Sequence, residues 1–273
     1  MRAVLPTITD RKPELFAINH SVKTSIKDAT VANYFTSLPS EEKLVEVLKS
    51  AYVINQPLQE VGGDGYWVSR SGSITQLIVF DCMGHGRLAT MMTSRYIDII
   101  EKGCLEFNIS TPSELLYFIH AELEKEFDGK ETGRIGSGAD VAILKIDHDK
   151  GEVQYAGAKM DLVYSIEGVL NRLKADRRPI GSYFGYERAY HNHVIKFKPN
   201  KQEAKFYAYS DGVTDLIGGE HDKKLGFNTL SEMIDELSAS PFDEEKSIMR
   251  NKLRRWAGKN DQMDDLLFVG FKL

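Results

Sequence analysis

The sequence predicts an α+β layered domain, with antiparallel sheets covered by helices. Three observations carry this. The elements run as strands, two helices, many strands, two more helices and a final strand. The strands are joined by short turns such as Asp149-Lys150-Gly151 and Glu167-Gly168, which favours antiparallel pairing. The 273 residues are 42% hydrophobic and 27% charged, enough to bury a sizeable core, with no internal repeat or low-complexity linker.

In order, residues 1–38 are polar and weakly patterned, a helical or linker segment ahead of a domain over 39–273. "PSEEKLVEVLKSAY" (39–52) reads as a helix, with Ser40, Glu41 and Glu42 at its start and Leu44, Val47 and Leu48 on one face. Strand-like runs follow at 51–56, 58–69 and 73–81, the last two joined by a hairpin at Ser71-Gly72-Ser73. In the helix over 87–103, Leu88, Met91, Met92, Tyr96, Ile99 and Ile100 recur at core spacing, and Gly103 is placed to cap it. The helix over 111–127 starts from Thr111 and Pro112 and turns Leu115, Ile119, Leu123 and Phe127 inward. After a glycine-rich loop at 129–138, strands are expected at 139–147, 151–158, 161–166, 169–174, 188–197 and 203–210. Helices at 226–238 and 242–257 and a closing strand in "DDLLFVGFKL" complete the chain.

Composition excludes several classes. A net charge of −5 argues against nucleic acid as the main partner. No apolar run approaches the ~18 residues of a membrane span, and the N-terminus lacks a signal-peptide core. Two cysteines outside any CxxC pair, Cys82 and Cys104, fit a reducing cytoplasmic setting, including the cytoplasmic part of a membrane-bound sensor.

The informative residues are carboxylates at strand ends. "IVFDCMGHG" (78–86) ends an apolar run on Asp81 and follows it with Gly84-His85-Gly86. "EVGGDGYW" holds Asp64 among glycines, "FYAYSDGVTD" ends a strand on Asp211 with Asp215 four residues on, and "DQMDDLLFVGFKL" sets Asp264 and Asp265 before the last strand. Any one Asp-Gly is more often a turn. Gathered together, such groups repel one another and lose hydration, which cations would relieve. The donors are almost all oxygen, suiting Mg²⁺ or Mn²⁺. Two ions about 3.5–4 Å apart could activate a water and clamp a phosphate for in-line attack. No Cys or His is placed to form a phospho-enzyme.

The chain resembles the SpoIIE/RsbU-type branch of the metal-dependent serine/threonine phosphatases, the PPM superfamily. The matching pieces are "VGGDGYW", "FDCMGHG", "GSGADVAILKID", "YAGAKMDLVYS", "IGS" (180–182), "YSDGVTDLIGG" and "DDLLFVG", in family order. "AGAK", "SDGVTDLIGG" and "KKLGF" (223–227) resemble the sensor-linked bacterial subgroup, within which the chain is similar to SiaA-type regulators. The resemblance implies an α-β-β-α sandwich of two antiparallel sheets flanked by helices, with two Mn²⁺ or Mg²⁺ ions at one end. Asp81 would bridge both ions, the backbone carbonyl of Cys82 would be a further ligand, and Asp211 and Asp264 would bind from the second sheet. Asp64 would act directly or through water, with Gly65, Asp140, Asp215 and Asp265 around them; for Asp140 a hydrogen-bonded strand carboxylate is the competing role. His85 is a candidate general acid against a structural histidine. The helices over 87–127 would couple an upstream signal to the metal site.

The chain departs from the pattern in three places. Leu267 stands where many members have Thr, Gly133 stands nearest the place of a third-metal aspartate, and the phosphate-binding arginine has no clear counterpart. The implied substrate is a phospho-Ser or phospho-Thr on a small bacterial regulatory protein of a partner switch. The rivals are a non-catalytic partner-binding module and another two-metal phosphohydrolase. Dimerisation through the N-terminal segment is an expectation with no heptad run behind it. His191 and His193 read as a solvated strand face, "MRNKLRR" (249–255) as a solvated helix face, and Met91 and Met92 as core.

Overall fold

A computed structural model describes residues 37–84, 86–127, 138–181 and 190–273. Expectations for residues 1–36, His85 and the glycine-rich loop, Gly133 included, lie outside the described residues, as do the side chains of Leu88 and Phe127. Two five-stranded antiparallel sheets face each other. With strands numbered in chain order, one sheet holds β2 (Asp64–Ser71), β3 (Ile74–Cys82), β4 (Ala139–Asp147), β5 (Glu152–Ala158) and β8 (His193–Lys196), paired in that sequence. The other runs β1 (Ser50–Gln56), β12 (Leu266–Lys272), β9 (Ala204–Tyr209), β6 (Leu162–Ile166) and β7 (Val169–Leu173). A two-stranded ribbon, β10 (Ile217–Gly218) with β11 (Lys223–Lys224), stands apart. Helix α1 (Glu41–Leu48) leads into β1. Helices α2 (Gly86–Glu101) and α3 (Pro112–Phe127) belong with the first sheet; α5 (Gly226–Ser238) and α6 (Phe242–Ala257) belong with the second, after the one-turn α4 (Asp211–Thr214). The α-β-β-α sandwich expected from the resemblance is therefore present.

Strand alternation builds the layers. Successive side chains point to opposite faces, so Leu77 and Val79 of β3 enter the core between the sheets while Ile78 and Phe80 enter the layer beneath α2 and α3. In β9, Phe206 and Ala208 face the other sheet and Tyr207 and Tyr209 face α5 and α6. Both faces of these strands are covered, which is why the runs read as continuously apolar. Among the described residues, no helix is long and apolar enough to cross a membrane.

Four local expectations are corrected. The helix expected to 52 ends at Leu48, because Lys49 takes a left-handed φ of 68° and β1 starts at Ser50. The strand expected from 58 starts at Asp64; the Leu58 and Gly63 amides donate to the Asp265 carboxylate instead of to a neighbouring strand. Gly103 does not cap α2 but lies in a π-helical turn, Lys102–Glu106. A Cβ there would stand 2.7 Å from Leu115 Cδ1, so the glycine lets α3 approach closely. Met91 is 60% exposed. Ala89, Thr93, Tyr96, Ile97 and Ile100 define the buried stripe of α2, and Met91 shares the opposite stripe with exposed Asp98, whereas Met92 packs as expected.

Candidate functional site

The register of the first sheet aligns three acidic residues. Asp64 on β2 pairs with Asp81 on β3, and Asp81 pairs with Asp140 on β4, so one row of carboxylates crosses three adjacent strands. The second sheet brings Asp211, which opens α4 directly after β9, and Asp264 and Asp265, which precede β12. Because β9 and β12 are neighbours, these residues arrive together at the same end of the sandwich. Gly212 has no side chain where α4 crosses this junction; a Cβ would fall 1.8 Å from the Asp265 carbonyl oxygen.

The convergence has an electrostatic consequence. Burial, opposed by a hydrogen bond from Ser210 and reinforced by Asp265 and Asp264, raises the Asp64 carboxyl to about 8. Burial raises Asp81 well above the carboxylate range, and Asp64, Asp211, Asp140 and Asp264 add to the rise. Asp140 is raised to about 6 by burial; the Lys159 ammonium, 3.8 Å away, opposes this, and Asp211 adds to it. Anions so placed are costly unless a cation or protons accompany them.

Two polar residues that sequence reasoning did not single out hold the site together. Ser210 is fully buried; its hydroxyl donates to Asp64 Oδ2 at 2.7 Å and accepts the Leu267 N–H at 3.0 Å, joining the sheets. Its signal in the sequence was its place between an apolar strand and Asp211. Thr93 of α2 donates to the Gly63 carbonyl at 3.0 Å, tying that helix to the residue before Asp64. Asp265 is turned to the 57–63 segment, accepting from the Leu58 and Gly63 amides at 2.7 and 2.6 Å. Asp215 pairs with Lys224 at 2.6 Å on the surface. Gly65 leaves space for the Phe80 ring, which a Cβ would meet at 2.5 Å.

The fit of these residues to divalent cations can be tested on two features. Asp64 Oδ1 is buried without a geometric hydrogen-bond donor, with the Asp81 carboxyl as its cross-strand neighbour. The Cys82 carbonyl lies 2.6 Å from where a Gly63 side chain would begin, so glycine keeps it open, and Gly84 beside it takes φ 92°. Among the described residues, no three Asp, Glu, His or Cys side chains close on one point as a finished cage. An ion such as Mg²⁺, which keeps several waters and takes one or two carboxylates, does not require one. The donor set fits hard cations.

The histidines at 191 and 193 do not form a ligand pair. His191 Nδ1 lies 2.7 Å from Asp176, and His193 stacks on Tyr155. In the basic stretch 249–255, Met249 and Leu253 are buried and Arg254 and Arg255 are exposed, as an amphipathic helix requires.

The family model described as Stage II sporulation protein E matches residues 71–273. The chain belongs to the SpoIIE family. It is thereby a PPM-type protein serine/threonine phosphatase domain. The SiaA-PP2C domain of Pseudomonas aeruginosa superimposes with a TM-score of 0.79 at 24% identity, covering 89% of this chain and 94% of that one. The structure of the SpoIIE phosphatase domain with a fragment of its regulatory domain, from Bacillus subtilis, gives 0.66 at 16%, covering 82% of this chain and 61% of that one. RsbX, solved in complex with magnesium, gives 0.55 at 16%, covering 82% and 93%. At these identities the superpositions speak for the fold. No curated protein matches the chain in sequence.

Proposed function

We propose that this SpoIIE-family domain is a divalent-cation-dependent phosphatase acting on phospho-Ser or phospho-Thr of a small regulatory protein in a partner switch. The observation that carries the reading is the row Asp64–Asp81–Asp140 opposite Asp211 and Asp264, with Asp64 Oδ1 buried and without a geometric hydrogen-bond donor. Asp81, Asp211, Asp264, the Cys82 carbonyl and Asp64 would hold two Mn²⁺ or Mg²⁺ ions. Bound there, such ions supply Lewis-acid activation of water and neutralise phosphoryl charge. RsbX, which shares the fold, was solved with magnesium.

The protein's own groups do the rest. Ser210 holds Asp64 in one orientation through its hydroxyl. Asp265 fixes the turn that presents Asp64, and Thr93 fixes the Gly63 carbonyl from the helix side. Gly63 keeps the Cys82 carbonyl open, and Gly84 takes the positive φ that turns the chain away two residues after it.

The deciding experiment is hydrolysis of an aryl phosphate and of a phosphothreonine peptide with Mn²⁺, with Mg²⁺ and with chelator, on this chain and on Asp211→Ala and Asp81→Ala. Metal-dependent turnover lost in both variants, with unchanged circular dichroism, is expected. Full turnover in both variants would refute the assignment. A nucleotide-diester panel run alongside separates a monoesterase from a phosphodiesterase.

A further inference from the structure

A depression of about 150 Å³ opens beside the carboxylate row, walled by Asp140, Asp211, Thr214, Tyr209, Lys159 and Arg172. Its two cations differ. Arg172 is committed: its Nε donates to Asp161 Oδ2 at 2.6 Å, and its guanidinium lies 3.5 Å over the Phe227 ring. Lys159 is not. Its side chain is 49% exposed, and its ammonium has one described neighbour, Asp140 at 3.8 Å, beyond hydrogen-bond distance.

The backbone holds Lys159 in place at a cost. Its φ is 58°, a left-handed conformation that glycine adopts freely and a residue with a Cβ resists. The conformation is locked by its own N–H donating to Asp176 O at 2.7 Å and by Met160 N–H donating to Ala158 O at 2.8 Å. Glycine would relieve the strain but carry no charge. A strained, ordered turn that presents an uncommitted cation at the rim of an acidic site suggests a ligand for that cation.

We propose that Lys159 is the phosphoryl-binding cation of this site, holding a non-bridging oxygen of a phosphate monoester in the depression. The inference rests on the phosphatase reading and deepens it. A dianionic phosphate approaching Asp81, Asp140 and Asp211 meets repulsion, and a compact ammonium on the open side offsets it. The competing role is simple neutralisation of Asp140.

The test uses the full chain, Lys159→Met and Lys159→Arg. Inhibition by inorganic phosphate, KM for a phosphothreonine peptide and the Mn²⁺ concentration for half activity are measured together. Lys159→Met should weaken phosphate inhibition about tenfold or more and raise KM. The Mn²⁺ requirement should stay within about twofold, and Lys159→Arg should recover part of the loss. Unchanged phosphate inhibition, or a shift in the Mn²⁺ requirement alone, overturns the proposal. Phosphorus NMR line broadening of inorganic phosphate with Mg²⁺ present reads the same contact without turnover. Phosphate bound by an inactive wild-type chain and lost in Lys159→Met would keep this inference while refuting the phosphatase reading. An active chain whose variant binds phosphate normally would do the reverse. A wild-type chain that binds no phosphate overturns the inference.

Discussion

Replacing Ser210 by alanine tests the link between the two sheets. The hydroxyl is fully buried, donates to Asp64 Oδ2 and accepts the Leu267 N–H. The methyl group that remains occupies nearly the same space, so no cavity contribution arises. The loss of the Leu267 partner strands a buried amide, at about 1–3 kcal/mol. The bond to Asp64 adds about 1 kcal/mol when that group is protonated and about 1.5–3 kcal/mol when it is ionised. With chelator present, Ser210→Ala should therefore destabilise the fold by about 2–4 kcal/mol in mild acid and by more above pH 8, since Asp64 is raised to about 8. The Ser210 hydroxyl lowers the Asp64 carboxyl, so the variant also moves that titration upward. Urea unfolding at several pH values reads both effects as shifts in midpoint at constant slope. A loss below about 0.5 kcal/mol, or a larger loss that ignores pH, would refute the reasoning.

Three further outcomes are expected. Asp64 and Asp81 have folded-state proton affinities raised chiefly by burial, with Asp265 and Asp264 adding at Asp64 and with Asp64 and Asp211 adding at Asp81, so the folded chain binds more protons than the unfolded one. Their contribution is present below the ordinary carboxylate range and lost as pH climbs toward 8. Thermal melts of chelated protein should fall over that range, and Mn²⁺ should flatten the fall. Glu245→Gln removes the nearer of two carboxylates around the Lys205 ammonium, 2.9 Å away and fully buried, and leaves Glu203 at 3.4 Å, at a cost of about 1–3 kcal/mol by denaturant unfolding. Gly212→Ala forces a Cβ against the Asp265 carbonyl, so turnover should drop while circular dichroism keeps the sheet signal.

The layer order was legible because apolar runs, turns and helical stripes are local. Asp81 and Asp211 stood out because a carboxylate ending an apolar run is unusual. Pairing was not legible. Nothing local says that β12 inserts between β1 and β9, and only that insertion brings Asp264 to Asp211. Ser210 escaped notice because serine before an Asp-Gly reads as turn chemistry; its partner is 146 residues away. Gly103 and Met91 were misjudged for a related reason. A 3.6-residue period defines a stripe but not which neighbour crosses it, and α3 packs on Gly103 while Met91 faces outward.

The interleaved order of the second sheet also bears on how the protein is made. During synthesis the row Asp64–Asp81–Asp140 can form once β4 has left the ribosome, yet Asp264, which faces it beside Asp211, and the Leu267 amide that fixes Ser210 come from the chain after residue 263. Until those residues emerge, β1 and β9 lack the strand between them and the site has only one wall. A nascent chain therefore passes through synthesis without a competent centre, and activity arrives in a single step with the last strand.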